Sequence, residues 1–89
     1  MLTLKRLERT VKGFANHRRI EIMELLEKEP ELSVSEIALK LKINFKTASE
    51  HIRRLAIAGL VLKRNQGNNV RHALTDQAKS TLKFLRILE

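Results

Sequence analysis

The chain has no cysteine, tryptophan or tyrosine, and only one proline and three glycines among its 89 residues. Without cysteine there is neither a disulfide framework nor a thiolate metal site, which suits a reducing compartment. Three phenylalanines are the whole aromatic supply, too few to build a platform on which the bases of a single strand stack. The glycines are scattered at positions 13, 59 and 67, so no glycine-rich phosphate loop exists. No carboxylate and histidine set is grouped as a catalytic constellation would need. These absences argue against an enzyme and imply no cofactor. No run approaches the roughly 18 apolar residues that cross a bilayer. The opening MLTLKRLERTVKGF is broken by Lys5, Arg6, Glu8 and Arg9, unlike the unbroken apolar stretch of a signal peptide. The expectation is a cytoplasmic protein without a membrane partner.

What the chain has in excess is positive charge, +8 in total. Residues 1–20 carry six basic and one acidic side chain, residues 21–36 one and six, residues 37–72 eight and one, and residues 73–89 three and two. The cations are thus concentrated at the start and across the middle, where a polyanion would be met. The acidic stretch, with Glu24, Glu27, Glu29 and Glu31, is expected to be a solvated face. At this length and 43% apolar residues, residues 1–89 are expected to form one domain. A small domain buries proportionally little surface and is often completed by oligomerisation.

Apolar spacing and capping residues divide the chain into about five helices and one hairpin. Leu2, Leu4, Leu7 and Val11 form a stripe on a helix over residues 2–12 that Gly13 is expected to break. Asn16 caps a second helix whose Ile20, Ile22, Met23, Leu25 and Leu26 face a core, and Pro30 ends it. Ser33 and Glu36 make a capping box ahead of Ile37, Ala38 and Leu41. Lys42 and Ile43 form a turn, Asn44 caps a helix over residues 45–58, and Gly59 closes it where a left-handed residue is wanted. Strands over residues 60–64 and 70–74 flank a loop at residues 65–69, with Arg64 and Arg71 expected at the tip beside small amides. Thr75 caps a last helix over residues 76–88.

The outline is therefore mainly α with a small β-hairpin: a winged helix-turn-helix. In the helix over residues 45–58, Ala48, Ile52 and Leu55 mark the buried side, leaving Lys46, Thr47, Ser49, Glu50, Arg53 and Arg54 outside. Short hydrogen-bonding groups near a helix start, with cations further along, match what base edges and phosphates in a major groove require. For Glu50 two roles stand level: accepting from a cytosine amino group, or a local salt bridge with Arg53 or Arg54. The terminal helices, 2–12 and 76–88, carry apolar stripes beyond what one small core absorbs. Leu4, Leu7, Val11, Leu82, Leu85 and Leu88 are therefore expected at a homodimer interface. A non-specific architectural DNA-binding protein and a winged-helix protein-interaction module remain open beside a sequence-specific regulator.

The phrases FANHRRIEIMELL, with Asn16 and Arg19, ELSVSEIALKL, and TASEHIRRLAIAGLV, with Ser49, His51 and Leu55, occur in this order. In order and spacing they resemble the ArsR-type winged helix-turn-helix transcriptional repressors, over about residues 7–85. The resemblance implies a homodimer on double-stranded DNA at an inverted-repeat operator, with half-site centres roughly 34 Å apart. It also implies base-edge contacts from Lys46, Thr47, Ser49 and Glu50, base or phosphate contacts from His51, Arg53 and Arg54, and wing contacts from Arg64, Asn68 and Arg71. Many metal-sensing members carry a cysteine pair where this chain has Ser33 and Ser35. Others use histidine and carboxylates on the last helix, where this chain offers Asp76 and no histidine after His72. His17, His51 and His72 lie on separate elements, His17 being expected at the surface and His72 on a wing strand, so no metal site is expected. The effector is not legible.

Overall fold

The computed structural model describes residues 3–89; Leu2, the first member of the expected stripe, lies outside the described residues. The elements are α1 (Leu4–Phe14), α2 (His17–Lys28), α3 (Val34–Leu41), α4 (Phe45–Ile57), β1 (Val61–Gln66), β2 (Asn69–Leu74) and α5 (Asp76–Ile87). Each helix begins at a side-chain cap. Asn16 Oδ1 accepts from the amides of Arg18 and Arg19, and Asn44 Oδ1 from those of Lys46 and Thr47. Ser33 and Glu36 close the reciprocal box, at 3.2 and 2.9 Å. Thr3 and Thr75 cap α1 and α5. Such caps satisfy amides that would otherwise lack partners, each contributing about 1 kcal/mol.

The fold is organised around α2, which touches α1, α3, α4, α5 and β2. Ile22, Met23 and Leu26 from this helix meet Ile37, Ile52, Leu55, Leu60 and Leu82 in one core, all at most 2% exposed. Leu82 therefore belongs to the domain's own interior and not to an interface between chains, correcting the expectation from the sequence. Helical spacing puts Ala78, Leu82 and Leu85 on one side of α5, and that side is the one that closes the core.

A second correction concerns Gly13. The helix does not stop there: α1 runs on through Phe14, and Gly13 is buried. A Cβ at position 13 would overlap the Cβ of Ala58, so glycine is required by the close crossing of α1 over the end of α4. Gly59 sits at φ 78° directly after the cap of α4, the left-handed stop expected from the sequence.

The hairpin pairs Val61 with Leu74 through Gln66 with Asn69, leaving a turn of only Gly67 and Asn68. The five-residue loop expected at 65–69 is thus shorter, because the strands continue to residues 66 and 69. At its root, Val61 and Leu74 are buried. Thr75 fastens this end, its amide donating to Leu60 O (3.1 Å) and its hydroxyl to Gly59 O (2.8 Å).

His72 lies on β2, the wing strand expected for it, and is 1% exposed. The segment after α2 pairs with β2 at this point: Glu31 N donates to His72 O (2.8 Å), and His72 N to Leu32 O (3.0 Å). The ring Nδ1 lies 2.8 Å from Leu32 O, so the neutral ring donates there. Burial pushes this imidazole below its ordinary value of 6.5. The unfolded chain then binds the proton more readily, so stability is intact above that value and falls as pH drops through the window beneath it. His51 shares this direction. Urea unfolding from pH 7.5 to 5 should show that loss, and a His72→Gln variant should show a shallower pH dependence; equal slopes would assign the effect elsewhere.

Candidate nucleic-acid interface

Two bonded turns set the angle between α3 and α4. Lys42 closes α3 in the left-handed region at φ 56°, and Ile43 N donates to Ala38 O at 3.0 Å. Ala48, Ile52 and Leu55 press α4 onto the body, which turns Lys46, Thr47, Glu50, Arg53 and Arg54 outward, with Ser49 and His51 half-buried at the flanks. A shallow groove of about 420 Å3 is lined by Lys46, Thr47, Glu50 and His51. The structure thus places all seven α4 residues singled out from the sequence on the outer arc of one helix or its margins.

Their electrostatics are not those of free side chains. Glu50 accepts from Arg53 Nε and Nη2 (3.0 and 2.9 Å) and from Arg54 Nε (3.1 Å). These guanidiniums hold its carboxyl at about 2, hydrogen bonds from Arg53 and then Arg54 being the leading causes. Of the two roles open for Glu50, the structure displays the salt bridge.

His51 is held by a residue to which composition gives no prominence. Arg19 Nε donates to His51 Nδ1 (3.2 Å), while its Nη1 donates to the carbonyls of Lys12 and Gly13, both at 3.2 Å. A guanidinium only donates, so Nδ1 must accept and the neutral ring carries its proton on Nε2. Burial, and then the charge of Arg19, hold this imidazole below its ordinary value. Arg19 thereby ties the end of α1 to α2 and α4 through one side chain. Only the phrase FANHRRIEIMELL signals it in the sequence.

The wing differs from expectation in where its cations lie. Arg64 and Arg71 face each other across the strands, with two further pairs between them and the turn, so they are not at the tip. The tip carries Asn65, Gln66, Asn68 and Asn69. Arg64 pairs with Glu31 at 2.7 Å. Arg71 donates to Glu31 O (2.9 Å) and Gln66 Oε1 (3.0 Å), and lies 3.7 Å from Glu36. The acidic stretch is exposed at Glu24, Glu27 and Glu29, as expected of a solvated face, yet Glu27 pairs with Arg86 at 2.6 Å and Glu29 with Lys40 at 3.0 Å. Glu27, Glu29 and Glu31 thereby pin neighbouring elements.

Apolar surface remains on the terminal helices. Leu4, Leu7 and Val11 are 84%, 44% and 51% exposed on α1, and Phe84, Ile87 and Leu88 are 53%, 78% and 65% exposed on or beside α5. Leu85 is half-buried against the core. Thr10 and Gln77 link the two helices by a hydrogen bond of 3.4 Å. Among the described residues no three His, Asp or Glu side chains gather as a metal-holding group, and no helix is long and apolar enough to cross a membrane.

Comparison with known proteins accords with this geometry. No curated protein matches the chain. Among solved structures, the homodimeric winged helix-turn-helix DNA-binding domain of a possible ArsR-family transcriptional regulator from Mycobacterium bovis is 28% identical, with a TM-score of 0.87. That alignment covers 96% of this chain and 79% of the other. The transcriptional regulator HlyU from Vibrio vulnificus CMCP6 is 32% identical, with a TM-score of 0.76 and coverage of 94% and 88%. The transcriptional repressor PagR of Bacillus anthracis, 23% identical over 92% of this chain and 94% of its own, shares the fold with a TM-score of 0.82. The family model described as bacterial regulatory protein, arsR family, matches residues 16–63. That match takes in α2 to α4 and the start of the wing, more than half of the chain, and the protein belongs to the ArsR family of transcriptional regulators.

Proposed function

We propose that the chain is a homodimeric repressor that occupies an inverted-repeat operator, inserting α4 of each protomer into a major groove. The observation that carries this reading is the outer arc of α4, where Lys46, Thr47 and Ser49 occupy the amino-terminal half and Arg53 and Arg54 the carboxy-terminal half. Short polar groups and a flexible cation at the leading end suit base edges, and guanidiniums behind them suit phosphates. Asn68 at the wing turn supplies a hydrogen-bonding group to the minor groove or backbone. Arg64 and Arg71 join it only by exchanging their carboxylate and amide partners for phosphate. The exposed stripe Leu4, Leu7, Val11, together with Leu88 and the half-buried Leu85, forms the contact between protomers, with Phe84 in place of Leu82. The homodimeric state of the Mycobacterium bovis domain supports this arrangement. Acting on a promoter places the protein with the chromosome, in the cytoplasm.

The test is selection of random duplexes by the purified chain at about 150 mM salt, where non-specific binding has largely faded. The expected result is one inverted repeat with half-sites about one helical turn apart. A Lys46→Ala, Thr47→Ala variant should lower the ratio of operator to random-duplex affinity about ten- to a hundredfold, the range of one or two lost base contacts. Its affinity for random duplex should fall only several-fold. Retention of duplexes with no shared sequence would replace this reading by that of an architectural protein.

A further inference from the structure

Cations also gather away from the outer arc of α4, in a cleft between α1 and α4 of about 390 Å3. Lys5, Arg9 and Lys12 line it from α1 and Arg54 from α4, above a floor that includes Ala58, and Glu8 is the one carboxylate among its lining residues. Glu8 is taken by Lys12 at 3.6 Å. Lys5 and Arg9 have no carboxylate within ion-pair distance among the described residues. Like charges held around a concave surface repel one another unless an anion sits among them. The cations that α1 gives the cleft lie on a different face of the helix from its apolar stripe. Lys5, Arg9 and Lys12 follow i, i+4, i+7 spacing, roughly 130° around the helix from Leu4, Leu7 and Val11. Arg54 uses Nε toward Glu50, so it borders both the cleft and the outer arc of α4.

We propose that the α1–α4 cleft is a seat for a phosphate-class anion, held by Lys5, Arg9 and Arg54. A guanidinium fork grips two phosphate oxygens at once, and an ammonium adds a point charge beside it. Two sources share this chemistry: a backbone phosphate of a duplex already engaged by α4, which rests on the function proposed above, and a small phosphorylated molecule, which does not.

The full chain and a Lys5→Gln, Arg9→Gln variant distinguish them, with Lys79→Gln, Lys83→Gln on α5 as a charge-matched control. If the duplex supplies the phosphate, affinity for random duplex falls about tenfold in the cleft variant. The slope of log affinity against log salt then becomes shallower by about one, at roughly 0.9 per phosphate contact, while the control moves by less than half as much. If a small molecule supplies it, inorganic phosphate at constant ionic strength shifts the amide resonances of Gly13 and Ile57 saturably in the native chain and not in the cleft variant. The two variants then bind duplex alike. Equal duplex binding by both variants, with no saturable phosphate shift, overturns the proposal. The phosphate titration needs no operator, so failure of the operator selection leaves that arm readable. Thermal melts of both variants confirm folding, and Arg9→Lys should keep most of whichever effect is seen.

Discussion

A Glu50→Gln variant should bind random duplex DNA about tenfold more tightly than the native chain at moderate salt. In the unbound protein one carboxylate engages two guanidiniums, with three bonds between 2.9 and 3.1 Å. A duplex must compete with that carboxylate for both arginines, and the carboxylate itself repels the approaching backbone. Glutamine removes the negative charge while keeping the shape. Each arginine released to a phosphate steepens the dependence of log affinity on log salt by roughly 0.9, so the slope should grow in magnitude by one to two. Titration by pH cannot substitute for the mutation, because with its carboxyl held at about 2 Glu50 stays ionised across the range in which DNA binding is measured. Fluorescence anisotropy with a labelled random duplex at several salt concentrations supplies the reading. Unchanged or weaker binding would show that Arg53 and Arg54 do not reach phosphate. A variant that gains on random duplex but loses on the operator would assign Glu50 a second duty, reading a base once DNA is bound.

Gly13→Val should destabilise the fold by about 3 kcal/mol, at the upper end for overpacking. Two opposed terms act at this position. Inside a helix, replacing glycine by alanine normally gains about 1 kcal/mol of propensity. Here the added Cβ would overlap that of Ala58, whose position is fixed by the backbone at the end of α4, so no rotamer change relieves the clash. The overlap outweighs propensity, and even Gly13→Ala should lose stability. Pairing Gly13→Ala with Ala58→Gly restores the space, and urea unfolding of the four proteins should give a coupling energy of at least about 1 kcal/mol. Additive losses would mean that α1 already tolerates displacement. A shift of α1 also moves the carbonyls of Lys12 and Gly13 that Arg19 holds, so the variant should weaken the Arg19 to His51 bond. An imidazole nitrogen spectrum detects that as a change in tautomer.

The parts of the fold legible in the sequence are those governed by local rules. Asn16, Ser33 with Glu36, Asn44 and Thr75 are all found capping helices, because a cap depends only on residues two or three positions away. The outer arc of α4 is likewise readable, since period and polarity on one helix settle which side is buried. Relations between distant segments were not readable. Gly13 looks like a helix breaker until α4 is seen crossing it. Leu82 and Leu88 share a side-chain type, yet the end of α5 runs past the core, so one is interior and the other exposed. His72 alternates like any strand residue, and its burial depends on Leu32, forty positions earlier. Arg64 and Arg71 are tip residues only for a turn longer than two residues, and the pairing of Asn65 with Val70 and Gln66 with Asn69 shortens it. Their carboxylate and carbonyl partners come from the acidic stretch, whose part in the structure composition alone did not reveal.

The clasp at Thr75 bears on how such a protein can diverge. Because that residue reaches back to Gly59 and Leu60, the polypeptide leaves the body and rejoins it at a single point. The bridge at Leu32 and the contacts of Glu31 brace the inner pairs, while the outer two, Asn65 with Val70 and Gln66 with Asn69, carry none of the core. Insertions or deletions of whole pairs at that extremity would alter the reach of the wing without altering the body that carries α4. Lineages could then retune how far the protein extends along a duplex while inheriting the rest of the domain unchanged.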